Sequence, residues 1–214
     1  MTKLTKNTIF ALLLPGLLAL TMFGCATQAA KTGFLNDYSK LEPHPDIKGR
    51  FRYINSNIDA SKYNKFIVDP VAVNLSEEGR KKNIDPKNLA KLSKHFRKKI
   101  EEELGKDYQI VGSSGPDVMR IRTSISEVSK TKPYLNVHPG TKLTGAGLGG
   151  AGGEMELVDS QTGERIAAAI DNQKGSRLDL VGGLQWYGNA EAVMENWAKD
   201  LKKWVDKVHG KPTK

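Results

Sequence analysis

The stretch Met119-Arg120-Ile121-Arg122-Thr123-Ser124-Ile125-Ser126 alternates two kinds of side chain. Met119, Ile121, Thr123 and Ile125 share one face, and the arginines and serines share the other, the pattern of an antiparallel strand buried on one side. Such a strand needs a second layer over its apolar face. Asp85-Pro86 opens a helix that can supply it: Asp is a good N-cap, Pro suits the first helical turn, and Gly105 stops the run. Leu89, Leu92, Phe96, Ile100 and Leu104 then fall at helical spacing on one face. A second helix is expected from a cap at Asn189 to Gly210, with Val193, Trp197, Leu201, Trp204, Val205 and Val208 inward. Upstream, Lys65 to Leu75 forms a strand in which Asp69-Pro70 marks a bulge or an edge position. Ser76 to Asn83 is a polar loop. Short strands are expected at Arg50 to Ile54 and Tyr108 to Val111. Glu154 to Val158 and Arg165 to Asn172 form a hairpin around Asp159-Ser160-Gln161-Thr162-Gly163. The fold class is α+β, a two-layer sandwich of about five mostly antiparallel strands with two helices on one face.

The start of the chain carries an address. Lys3 and Lys6 precede an apolar run from Thr8 to Phe23, and Gly24 stands directly before Cys25. A basic n-region, a short apolar segment and a small-residue cleavage site make an export signal. The cysteine at that junction adds a bacterial lipobox, with cleavage between Gly24 and Cys25 and a diacylglycerol on the Cys25 thiol. Two rival readings exist. The run is shorter than the ~20 residues of a spanning helix, which argues against an uncleaved anchor. Met22 and Phe23 depart from the usual lipobox, which leaves room for ordinary cleavage without lipid. The organisation is then a lipoprotein signal peptide (1–24), a short tether (25–32), one periplasmic α+β domain (33–210) and a basic tail (211–214). Ala26 after the cysteine favours the outer membrane.

Of 214 residues, 33 are basic and 24 acidic, for a net charge of +9. The leader contributes Lys3 and Lys6 and no acid, so +9 less two leaves +7 on the mature chain. A basic body at an envelope surface suits anionic partners, namely lipid head groups, an anionic polymer or an acidic protein, and export disfavours nucleic acid. With Cys25 as its single cysteine, the chain can form neither an internal disulfide nor a thiolate zinc site.

Chemistry-bearing motifs are few. Gly145 to Gly153 contains G-x-G-x-x-G, but these glycines lead into a strand, and a dinucleotide site needs a helix to receive the phosphate. A mobile loop, or a bend that admits another surface, fits better. His44, His95, His138 and His209 are scattered, and His95 suits a structural place beside the first helix's apolar face. Asp69, Asp159 and Asp171 sit in or beside strands, where turn and edge roles are the default. No serine-hydrolase elbow is present. The expectation is no catalytic residue, no metal ligand set and no cofactor. Lys87, Lys91, Lys94 and Lys98 form one stripe on the first helix, ahead of Glu101-Glu102-Glu103. These charges oppose the helix dipole, so the stripe is either a contact for an anionic partner or a solvated face with pairs such as Lys98 to Glu102. Trp197 and Trp204 lie two turns apart, for core packing or for a partner.

Several blocks recur in one order: Gly33-Phe34-Leu35-Asn36-Asp37-Tyr38-Ser39, then Tyr63 with Phe66-Ile67-Val68-Asp69-Pro70-Val71, then Leu157-Val158-Asp159-Ser160-Gln161-Thr162-Gly163-Glu164-Arg165. With the lipobox and the Trp-containing last helix, they resemble the bacterial lipoprotein family known as domain of unknown function 3313. The resemblance implies a location and a domain, and brings neither an activity nor catalytic residues. The functional expectation is a membrane-anchored envelope lipoprotein acting by binding or assembly. The alternatives are a carrier of an apolar ligand between helices and sheet, with Lys130 to Gly153 as its lid, and an uncharacterised enzyme. Metabolic labelling with a fatty-acid analogue should mark the wild type and not Cys25→Ser. Equal labelling of both would remove the lipid anchor.

Overall fold

The computed structural model describes residues 30–132, 134, 147–175 and 185–212. The expected signal peptide, Gly24, Cys25, most of the tether, His138 and the middle of the expected lid lie outside the described residues. Eight strands form one mixed sheet: β1 (Glu42–Pro43), β2 (Phe51–Ile54), β3 (Lys65–Val68), β4 (Ala72–Val73), β5 (Gln109–Ile110), β6 (Val118–Ser129), β7 (Gly150–Asp159) and β8 (Arg165–Lys174). Among the described residues the α-helices include α1 (Glu77–Lys81), α2 (Pro86–Leu104) and α3 (Gly188–Val208). The strand order is β1-β2-β8-β7-β6-β3-β5, with β4 also on β6.

The helical expectation for α2 holds in detail. Asp85 accepts the Lys87 amide at 2.7 Å, Pro86 begins the helix, and the five apolar residues named from spacing are its buried ones. They join Met119, Ile121 and Ile125 of β6 and the inner face of α3 in the main core. Phe96 and Trp197 meet there with ring centroids 5.7 Å apart.

Five expectations need correction. The sheet has more strands than about five and is mixed. Asp69-Pro70 divides the expected strand into β3 and β4, and both run parallel to β6 because α1 and α2 carry the chain back across the sheet before β6 begins. Ser76 to Asn83 is not all loop: Ser76 accepts the Gly79 amide at 3.0 Å and caps α1. Asn189 does not cap α3. It lies fully buried in the first turn, and Tyr187 occupies the cap position without a side-chain bond. Finally, Gly150, Gly152 and Gly153 belong to β7, where the neighbours are too close for side chains. A Cβ on Gly153 would stand 3.0 Å from both Trp197 Cζ3 and the Ser124 carbonyl. The glycines admit a neighbouring surface, as one expectation had it.

The sheet's other face carries a strap. Phe34, Leu35, Tyr38 and Leu41 pack on Ala168 and Ile170 of β8 and on Phe51 and Tyr53 of β2. Glu154, buried in β7, accepts the Thr32 amide at 2.7 Å and the Tyr38 hydroxyl at 2.6 Å. Arg165 donates to the Leu35 carbonyl and, at 2.8 Å, to that of Asp37. Arg165 and Arg122 also grip Glu156, so that its buried charge is met by two cations.

At the far end of β7, Asp159 organises the hairpin. Its carboxylate accepts the Gln161 and Thr162 amides at 2.9 Å each and the Tyr63 hydroxyl at 2.7 Å. Burial works against the charge, yet the bonds from Thr162, Tyr63 and Gln161 outweigh it and hold the carboxyl at about 2, below its usual 3.8. A depressed carboxyl stabilises the fold above its unfolded value and loses that contribution as pH falls from 3.8 toward 2. Tyr63→Phe should therefore cost roughly 1.5–3 kcal/mol at pH 7, with the gap to wild type narrowing below pH 4. Urea unfolding across pH 7 to 2.5 measures it, and a constant gap would refute the linkage.

Candidate functional site

Among the described residues the helices cover only part of their sheet face. α2 lies toward β3 and β5 and α3 over β7 and β8, so that no described helix lies over β2 and the outer side of β8. Between α3 and these strands runs a groove of 330 Å³. Ala167 and Ala169 of β8 form its floor, together with Arg52 and Ile54 of β2, and these pair in register as Arg52 with Ala169 and Ile54 with Ala167. Trp197, Leu201 and Trp204 of α3 form one wall. The segment from His44 to Arg50 closes one end.

That end is held by charge. Arg50 donates through Nε to Asp171 at 2.7 Å and through Nη1 to Asp200 of α3 at 2.8 Å. Asp171 also accepts the Trp197 indole N–H at 2.9 Å and Gln173 Nε2 at 2.6 Å. Burial disfavours the Arg50 charge, but Asp171 and Asp200 hold its pKa above the ordinary value. His44 at the rim is shifted the other way, first by burial and then by the positive charges of Arg52 and Arg50. Ile54 is 46% exposed on the open side. Arg52 is exposed and makes no ion pair among the described residues.

The residues singled out from sequence fall in different places. Trp197 is a core residue whose edge ends the groove, and Trp204 is a half-buried part of the wall. Asp171 joins the Arg50 cluster, whereas Asp69 pairs with Arg120 at 2.6 Å and Asp159 serves its turn. His95 lies between α2 and α3, 3.5 Å from Glu195, and His209 bonds the Val205 carbonyl. Lys87, Lys91, Lys94 and Lys98 are all exposed on α2, away from the groove. Lys98 stands 3.4 Å from Glu102, the i,i+4 pair expected for a solvated face. Gly147 precedes β7 in a turn, so no helix follows the glycines. Among the described residues no group of His, Cys, Asp or Glu is placed to hold a metal, and no helix is long and apolar enough to cross a membrane. Sequence reasoning missed Ala167, Ala169, Arg50 and Arg52. The available signal was Ala167-Ala168-Ala169, small side chains in a strand where β-branched ones pack better.

The molecule is thus a mixed α/β domain with a strapped sheet and an apolar groove among the described residues. Its sequence matches the family described as "Protein of unknown function (DUF3313)" over residues 30–201, and the chain belongs to that family. No curated protein matches it. Similar solved structures include a PelC dodecamer from Paraburkholderia phytofirmans, 12% identical over 76% of this chain and 96% of that one, with a TM-score of 0.40. A homolog of neuraminyllactose-binding hemagglutinin from Helicobacter pylori is 11% identical over 78% and 95%, with a TM-score of 0.39. A DUF4136 family protein from Bacteroides thetaiotaomicron is 11% identical over 78% and 98%, with a TM-score of 0.36.

Removing the Arg50 side chain strips Asp171 of its cation in a buried setting. Arg50→Ala should cost about 3 kcal/mol, and Asp171→Asn in the same chain should restore part of the loss. Urea midpoints of the two single variants and the double variant check this. Additive losses would show that the pair is not coupled.

Proposed function

We propose that this protein is a lipid-anchored lipoprotein of the bacterial outer membrane, acylated at Cys25, that acts by binding through the groove beside α3. One observation carries the binding part: among the described residues the apolar sheet face is left open where Ala167 and Ala169 lie, and an aromatic wall bounds it. A core strand of larger residues under a longer helix would have filled that space. An opening of 330 Å³ stands at the low end of the ~300–1,000 Å³ usual for ligand sites. The anchor part rests on Lys3, Lys6, the apolar run and Gly24-Cys25.

A carrier role is the second reading, favoured by the groove's place between helix and sheet. Of the stretch expected as its lid, Lys130 to Gly153, the last residues, Gly150 to Gly153, belong to β7. A photoreactive phenylalanine analogue replacing Ile54 in the full chain, illuminated in living cells, should give a discrete adduct. The same analogue at Gln161, in the distant hairpin, should not. Equal yields at both positions would end the groove's claim to be the binding site.

A further inference from the structure

The groove has a chemical polarity that narrows what it takes. Its interior presents Ala167, Ala169, Met155, Leu157, Ile54, Leu201 and the indoles, all apolar. The charges at the closed end satisfy one another: Arg50 is shared between Asp171 and Asp200, and Asp171 is further bonded by Trp197 and Gln173. A ligand group placed there would have to break bonds already made. Arg52 differs. It stands on the floor side of β2, opposite Ala169, and no described carboxylate pairs with it, although Glu42 is its register partner on β1. Lys40 lies on the same outer edge, in a second cleft bordered by Lys40, Glu42, Arg52, Tyr53 and Ile54. Its ammonium sits over the Tyr53 ring, 5.6 Å from the centroid. The mouth of an apolar groove therefore carries an uncommitted guanidinium, a group suited to forked bonds with carboxylate or phosphate oxygens.

We propose that the groove binds a single-chain anionic amphiphile, with its alkyl chain on Ala167 and Ala169 between Ile54 and Trp204 and its head group at Arg52. The volume suits one chain and not the two of a diacyl lipid. Ala167 and Ala169 provide the depth, since any larger residue would fill it. The proposal rests on the groove being the binding site and specifies its ligand.

The test uses the full chain held in amphipol, titrated with 12-bromododecanoate and with 12-bromododecanol. Bromine in the groove quenches the indoles that line it. The acid should quench saturably and bind roughly fivefold more tightly than the alcohol, about the preference expected from one charge-assisted contact at an exposed site. Dodecyl phosphate should displace it if the head site accepts any anion, and a failure of phosphate alone would assign the site to carboxylates. Arg52→Gln, an exposed change that leaves the core untouched, should erase the difference between acid and alcohol. Ala169→Leu should weaken both. Superimposed acid and alcohol curves in the wild type, or an unchanged preference in Arg52→Gln, would overturn the proposal. If quenching is not saturable while the analogue at Ile54 captures a protein in cells, the groove is a binding site and this ligand class is wrong.

Discussion

The close approach of the Trp197 ring to Gly153 is the contact on which the arrangement depends. An indole that large reaches the sheet only because β7 has no side chain at that point; a Cβ would stand 3.0 Å from its ring. Once buried, its N–H needs an acceptor, since an orphaned donor would cost on the order of 1–3 kcal/mol. Asp171 provides it and brings a charge that must itself be met. Arg50 meets it, and in doing so ties the segment before β2 to Asp200 on α3. One contact between an aromatic ring and a bare backbone thus recruits a helix, two central strands and an edge segment into a single network. It also decides where the open space begins.

The alanines of β8 act on both faces. Ala167 and Ala169 leave the helix side open, while Ala168 lets Leu35 lie close on the opposite side. Alanine is a poor strand former, so this stretch is stabilised from outside, by the ladders to β7 and β2 and by the strap. The strand forgoes packing on one face and recovers it on the other.

What the sequence made legible was local. The face of α2 could be named residue by residue because period, cap and stop agree with one another, and the β6 alternation was equally clear over Met119 to Ile125. The burial of Ser124 and Ser126 was not foreseen, since it comes from β4 pairing beside them and α1 packing on β6. Parallel pairing of β3 with β6 was hidden for the same reason: direction is set by the crossover between strands, not by the strands' own residues. The glycines of β7 looked like loop because what keeps them small stands elsewhere in the chain: Gln173 and Lys174 for Gly150, Ser126 and Glu127 for Gly152, and Trp197 for Gly153. The groove was least visible. Small residues in a strand say that something approaches closely or that nothing does, and only the limits of α3 distinguish the two.

The strap has a mechanical consequence. The described chain enters on the face opposite the groove and is fixed within a few residues to Glu154, in the middle of the sheet, and to Arg165 beside it. A pull from the N-terminal side would therefore arrive as shear across the central strands, loading several bonds together, and would not peel an edge strand away one bond at a time. The groove on the far side would keep its shape under such tension. The N-terminal strap and the groove thus lie on opposite faces of one sheet.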